Sequence, residues 1–268
     1  MSAQERWTAD RLGAGRMTTL RAGLEPTGTG QKGPPGHRYA RELLTELSLD
    51  DREALQRLGT RRVYSPGEAL MVEGDRDDTV ALLLTGCVKV VGSTEDGGEA
   101  LLAVRVPGEL LGELAALDGE PRSATVLVVR TSTTREISGA VFRAFLAEHP
   151  EAAAAVQRSM SRKLRTATRH RVDAGCGSVL VRLARTLDTL GRSYGHPTPD
   201  GLRLGIPLSH ADLAALTGLS PASVERSLRT LRAQGAIKTS YRDLVISDEQ
   251  LLCRAAGLFV RPLPGEWR

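Results

Sequence analysis

Aromatic side chains are scarce: Phe, Trp and Tyr make up 3% of the 268 residues. The cores must then be aliphatic, and recognition of a nucleic acid by stacking its bases on aromatic rings is disfavoured. There are three cysteines, Cys87, Cys176 and Cys253, far apart in the chain. They form neither a CxxC pair nor an even-numbered framework, which fits a reducing compartment. No run approaches the ~18 consecutive apolar residues of a membrane span, and no signal-peptide pattern opens the chain. A cytoplasmic protein with no membrane partner is the expectation. No nucleophile–base pair, Walker loop or metal-ligand cluster can be picked out, and Gly97-Gly98 sits in a turn rather than before a helix. Catalysis is not expected.

What the chain does have is a hydrophobic fraction of 41%, a net charge of +4 and room for two modest cores. The sharpest local signal is Ser209 to Gly235. Ser209 can cap a first helix, with Asp212 in its first turn at the positive end of the dipole. Leu213, Ala214 and Leu216 give that helix an apolar face, and Gly218 supplies a sharp turn. Ser220 caps a second helix and Pro221 takes its first position. Val224, Leu228 and Leu231 recur at helical spacing and point inward, leaving Ser223, Arg226, Ser227, Arg229 and Arg232 on the outer face. Gly235 ends the helix, and Ala236–Ser240 and Leu244–Ile246 follow as a hairpin. The outline is a winged helix-turn-helix offering cations and hydroxyls to a major groove. Double-stranded DNA is the expected partner.

Residues 1–38 read as a leader without a fold, dense in Gly, Thr and Pro. Residues 39–148 form a first domain. Tyr39–Leu58 reads as two short helical pieces broken near Ser48 and Asp50. Apolar runs at Val63-Tyr64, Ala69–Val72, Val80–Leu84, Cys87–Val91 and Ala100–Val106 are separated by turn signals, among them Thr85-Gly86 and Glu95–Gly98. That density predicts an antiparallel sandwich or barrel. Further strands are predicted at Ala124–Val129 and Thr133–Ile137, with Pro107–Ala124 breaking the pattern between. Gly139–Glu148 reads as a short helix.

Residues 149–176 hold a long helix opening at Pro150. Ala153, Met160, Ala167 and Ala174 repeat every seven residues, flanked by Val156 and Leu164, while Lys163, His170 and Arg171 interrupt the seam. This is no strong coiled coil, and a weak, adjustable homodimer contact is the expectation. Residues 177–248 hold the DNA-binding domain: Ser178–Leu190 as a supporting helix, Gly191–Asp200 as a polar loop, then the motif above. The tail, 249–268, reads as one more helix around Leu251, Leu252, Ala255 and Leu258.

A β-roll, a long helix and a winged helix-turn-helix in this order resemble the Crp/Fnr family of bacterial transcription regulators, over about residues 39–248. The fold class expected is α+β: an N-terminal β-roll of the cyclic-nucleotide-binding kind, a long dimerisation helix and a C-terminal winged helix-turn-helix. Gly108–Thr125 looks like the phosphate-binding cassette of that roll. A helix beginning near Leu111-Gly112 would present free N–H groups to an anion, Arg122 a charge-assisted hydrogen bond and Ser123 a hydroxyl, while Glu113 would accept from a ribose hydroxyl. The resemblance places Gly112, Glu113, Leu114, Arg122 and Ser123 in an effector site for a cyclic nucleotide. Arg122 could instead be a surface arginine paired with Glu120 or Glu113. On the long helix, Lys163 occupies a position usually held by a cation near the ligand. The two hydroxyls that cyclic-AMP-responsive members use there correspond to Ala167 and Thr168, so one is missing and cyclic AMP is one candidate among nucleotides. Iron–sulfur members need four cysteines, and the five histidines show no axial pairing for haem, so no metal, haem or cluster is expected.

The reading helix departs from the family as well. The resemblance implies Ser-Arg-Glu-Thr-Val at its start, and this chain has Pro221 and Ala222 at the two base-touching positions. Arg226 remains the candidate for bidentate contact with guanine, and Glu225 either accepts from cytosine or pairs with Arg229 at i+4. Ser209, Ser220, Ser223, Arg229 and Lys238 complete the expected DNA contacts, mostly to phosphate. The operator should differ from the familiar TGTGA half-site. The resemblance also allows RNA polymerase as a partner. A second reading, motivated by Pro221 and Ala222, is a nucleotide sensor working through protein–protein contacts.

Overall fold

The computed structural model describes residues 43–94, 99–175, 177–240 and 243–258. The leader 1–38, the Glu95–Gly98 turn, Cys176 and the chain after residue 258 lie outside the described residues.

Two short helices come first, α1 (Leu43–Glu46) and α2 (Leu49–Arg57), the second capped by the Ser48 hydroxyl on the Asp51 N–H. Strands β1 (Thr60–Tyr64), β2 (Ala69–Met71), β3 (Val80–Ser93), β4 (Glu99–Arg105), β5 (Leu110–Leu111) and β6 (Thr125–Ile137) make one antiparallel sheet in the order β1-β6-β3-β4, with β2 on β6 and β5 on β3. Helix α3 (Glu113–Asp118) lies between β5 and β6. The sheet has two apolar faces because alternate residues of a strand point to opposite sides. Ala81 and Leu83 enter the roll interior with Met71, Val88, Leu111, Val126 and Val128. Val80 and Leu82 face the other way, packing with Phe142 and Phe145 of α4 (Gly139–Glu148) and with Ala152, Ala155 and Val156 of α5 (Pro150–Gly175).

Two expectations are corrected here. Val80–Leu84 and Cys87–Val91 are a single strand, and so are Ala124–Val129 and Thr133–Ile137. The turn signals between them are bulges: the β3–β6 register shifts around Thr85 and Cys87. Gly86 sits at φ 96°, where a Cβ would lie 2.6 Å from the Thr131 carbonyl oxygen. The glycine bends a long strand without ending it.

The second module begins with α6 (Val179–Tyr194), capped by Ser178 and one turn longer than the sequence suggested. The expected Gly191–Asp200 loop is instead the end of that helix and a strand. β7 (Gly195–Thr198) pairs with β8 (Gly201–Leu204), which pairs with β10 (Asp243–Ile246), which pairs with β9 (Ile237–Ser240). The hairpin was hidden because it is short and polar, with only Leu202 and Leu204 pointing into the core. α7 (His210–Thr217) and α8 (Pro221–Ala233) form the helix-turn-helix, and α9 (Glu249–Ala255) closes the module behind an Asp248 cap.

Roll and reading module share one apolar core. Cys87 of β3 and Val104 of β4 belong to the same buried cluster as Leu183, Leu187, Leu213, Leu228 and Leu231. Burial pushes the Cys87 thiol up to about 11, which keeps it protonated and unreactive. Polar contacts reinforce the seam. The Tyr194 hydroxyl donates to the Val104 carbonyl at 2.7 Å, Arg130 donates to the Gly205 carbonyl, and Lys89 of β3 pairs with Asp212 of α7. Burial works to raise the Asp212 carboxyl, but hydrogen bonds from Lys89 and Ser209 outweigh it and hold the group below its ordinary 3.8. A carboxyl lowered on folding adds stability above its unfolded pKa and loses it as the pH falls through the folded one. The stability that Asp212 supplies is therefore complete at neutral pH and fades below about pH 3.8. Urea midpoints measured from pH 6 to pH 3 should drop steeply at the acid end, and Asp212→Asn should flatten that drop while lowering the neutral value.

Candidate effector site and nucleic-acid interface

The cassette is built around one buried cation. β5 ends at Leu111, and Gly112 turns the chain at φ 78° into α3. A Cβ on Gly112 would stand 2.3 Å from Arg122 Nη1 and 2.8 Å from the Thr79 carbonyl oxygen, so only glycine fits beside the guanidinium. Arg122 is 4% exposed. It is not the surface arginine that the sequence left open, and neither Glu120 nor Glu113 holds it. Its Nη1 donates to the Gly112 carbonyl at 3.0 Å, and its Nη2 donates at 2.6 Å to both the Thr79 carbonyl and Asp77 Oδ2. Its backbone is pinned too, with its N–H on the Asp75 carbonyl and its carbonyl accepting from Gly74.

Glu113, at the first position of α3, is buried. Lys163 of α5 reaches it at 2.7 Å and donates as well to the Leu110 carbonyl at 2.7 Å. The structure thus brings Gly112, Glu113, Arg122 and Lys163 together. Leu114 and Ser123 are exposed at the margin. Thr168 stands apart: it is exposed, and its hydroxyl donates to the Leu164 carbonyl of its own helix at 3.0 Å. The sequence missed Asp77 and Thr79. The signal was the acidic run Asp75–Asp78 just before an apolar strand, since a cation taken out of water needs an anion. A separate open cleft of about 520 Å³, lined by Val129, Arg130, Arg203, Leu204, Gly205, Pro207 and Asp243, lies between roll and wing and includes no expected effector residue.

In the reading module, Ser209 and Asp212 form a reciprocal capping box on α7, and Gly218 takes the left-handed turn before the Ser220 cap of α8. Pro221, Ala222, Glu225, Arg226 and Arg229 are exposed, with Ser223 half-buried. Arg226 donates weakly to Ser223 at 3.3 Å. Glu225 is paired with Arg229 at 3.1 Å, and Lys238 of β9 with Asp200 at 3.0 Å. These are exposed pairs that exchange easily for phosphate. Ser227 is a correction: it is 6% exposed, not on the outer face. It is the i+3 member of the inward stripe Val224, Ser227, Leu228, Leu231, and a small polar residue there is easily misread as outward.

Both modules have counterparts in known families. The chain matches the cyclic nucleotide-binding domain over residues 61–149 and the Crp-like helix-turn-helix domain over residues 181–255. It is 27% identical over 193 residues to a CRP-like cAMP-activated global transcriptional regulator of Mycobacterium tuberculosis, covering 72% of this chain and 86% of that one. To the cAMP-activated global transcriptional regulator Vfr of Pseudomonas aeruginosa it is 29% identical, covering 69% and 88%. The crystal structure of a CRP-family transcriptional regulator from Thermus thermophilus superposes with a TM-score of 0.60 at 26% identity, covering 73% of this chain and 96% of that one. A roll and a winged helix in this order make the chain a DNA-binding transcription regulator, not an enzyme. It belongs to the Crp/Fnr family.

Lys163 is the only contact described between the long helix and the Glu113 carboxylate, and it is mostly buried. Lys163→Ala leaves Glu113 buried without its cation and should destabilise the roll by roughly 3 kcal/mol, since breaking one half of a buried pair strands the other charge. Urea titration followed by circular dichroism reads this, with Glu113→Gln in the Lys163→Ala background expected to recover much of the loss.

Proposed function

We propose that the chain is an effector-gated regulator in which a cyclic nucleotide, cyclic AMP first among the candidates, binds at the cassette and sets the affinity of a homodimer for DNA. The observation that carries this is the buried Arg122 guanidinium beside the Gly112 turn, a cation held at the cassette with a partly exposed carboxylate, Asp77, as its anion. The ligand phosphate would take hydrogen bonds from Arg122 and Ser123, and Glu113 would accept from the ribose. The cAMP-activated relatives support that choice of ligand. Thr168 and Lys163 would complete the pocket from α5. Ala167 supplies no hydroxyl beside Thr168, so other nucleotides compete as effectors.

The second half of α5 supports the homodimer. Val156 of the expected seam faces the roll core with Ala152 and Ala155, and Met160 packs against the same cluster. Beyond it Leu164 is 69% and Val172 is 59% exposed, two turns apart on one side of the helix, with Ala167 and Thr168 exposed between them. Apolar side chains in that register are what a second copy of the helix would cover. In a bacterial cell the DNA lies in the cytoplasm, where we place the protein. Two reading helices of such a dimer would meet half-sites about one turn of DNA apart. Arg226 would read guanine, while Ser209, Ser220, Ser223, Arg229 and Lys238 would hold phosphates and Glu225 would gain or lose a base contact as Arg229 releases it.

Calorimetric titration with cyclic AMP and then cyclic GMP tests the effector site. Micromolar binding by the intact protein, lost in Arg122→Ala when a thermal melt shows that variant folded, is the expected result. No heat with either nucleotide would overturn the cyclic-nucleotide reading.

A further inference from the structure

We propose that Asp77 is a built-in competitor for the effector: its carboxylate is held on Arg122 and must leave before a ligand phosphate can bind there. This rests on the reading of the cassette as a nucleotide site and adds to it a residue that sets its affinity.

A guanidinium has five N–H donors. Three of Arg122's are committed, both of those on Nη2 and one on Nη1, to Asp77 Oδ2, the Thr79 carbonyl and the Gly112 carbonyl. A phosphate binds arginine best through two parallel hydrogen bonds to its fork. With Nη2 fully used, that fork is closed. The two carbonyls belong to the backbone of β3's approach and the cassette turn, so they cannot withdraw without unpicking the fold. Asp77 can. Its side chain is 58% exposed although it pairs with an arginine only 3% exposed. On release it is hydrated at once, whereas the guanidinium keeps its anion by taking the ligand's.

The asymmetry extends to how Asp77 is held. Its Oδ1 accepts from the Thr79 N–H at 3.2 Å and from the Thr79 hydroxyl at 2.7 Å, while Oδ2 alone faces Arg122. The turn is therefore fixed by one oxygen and the competition is run by the other. If Asp77 stayed in place, two anions would crowd one buried cation, and like charges at hydrogen-bonding range repel strongly away from bulk water. The same pairing also makes the empty site tolerable. Without Asp77 the roll would hold Arg122 unneutralised until a ligand arrived. One carboxylate thus keeps the apo protein folded and raises the concentration at which the effector acts.

The test is calorimetry on the full chain, with cyclic AMP and cyclic GMP as titrants. Four proteins are compared: the natural sequence, Asp77→Asn, Arg122→Ala and the double variant. Asparagine keeps an Oδ1 acceptor for Thr79 but turns a donor toward Arg122, so the guanidinium is released. Asp77→Asn should bind nucleotide about tenfold more tightly or better, the scale of one removed charge contact, and should melt at a lower temperature when empty. The gain should vanish in the double variant. Equal or weaker binding by Asp77→Asn, with binding by the natural sequence abolished in Arg122→Ala, would overturn the proposal and leave the nucleotide site standing. A gain that persists in the double variant would also overturn it, because the competition would not run through Arg122. No binding by any of the four would overturn both this proposal and the effector reading beneath it.

Discussion

One buried guanidinium organises the cassette of the roll. Arg122 ties its own loop to the Gly74-Asp75 turn through the backbone, and through its side chain to Thr79 before β3 and to Gly112 before α3. Three segments distant in sequence meet at one side chain. The spacing forces glycine at 112 and an anion near Nη2. The neighbouring Glu113 carries the same logic outward, since it is neutralised by Lys163 on the long helix. A ligand that takes over either charge changes what the other groups must do, and the path from the cassette to α5 is a single ion pair long.

The second constraint is that two buried side chains of the roll complete the core of the reading module. Cys87 and Val104 are part of the cluster that holds Leu213 and Leu228. Lys89 meets Asp212, which also closes the capping box of α7 with Ser209. A shift of β3 would thereby reach the start of the helix-turn-helix, in a group of its first-turn capping box. The outer face of α8 meanwhile meets solvent, with Arg226 lightly held by Ser223.

Most of this was legible in the sequence because the elements are regular. Ser209, Ser220 and Pro221 mark helix starts by local chemistry alone, and Val224, Leu228 and Leu231 mark a buried face by period. Gly112 and Arg122 were legible through their pattern in the cassette. The failures share one cause, which is information that lies across the chain. Thr85-Gly86 reads as a turn until β6 is present to make it a bulge. Ser227 reads as outward because hydroxyls usually are. The hairpin of β7 and β8 has too few apolar residues to announce itself and forms because β10 pairs with β8. Asp77, 45 residues from Arg122, and Lys89, 123 residues from Asp212, could not be matched to their partners by spacing.

If the proposed function holds, occupancy of the cassette governs DNA binding. The direct measurement is fluorescence anisotropy on a duplex selected from genomic fragments by the protein itself, titrated at fixed salt with and without saturating cyclic nucleotide. The affinity should rise at least about tenfold with nucleotide, a coupling of about 1.4 kcal/mol. Equal affinity in both conditions, for a nucleotide shown to bind, would contradict it.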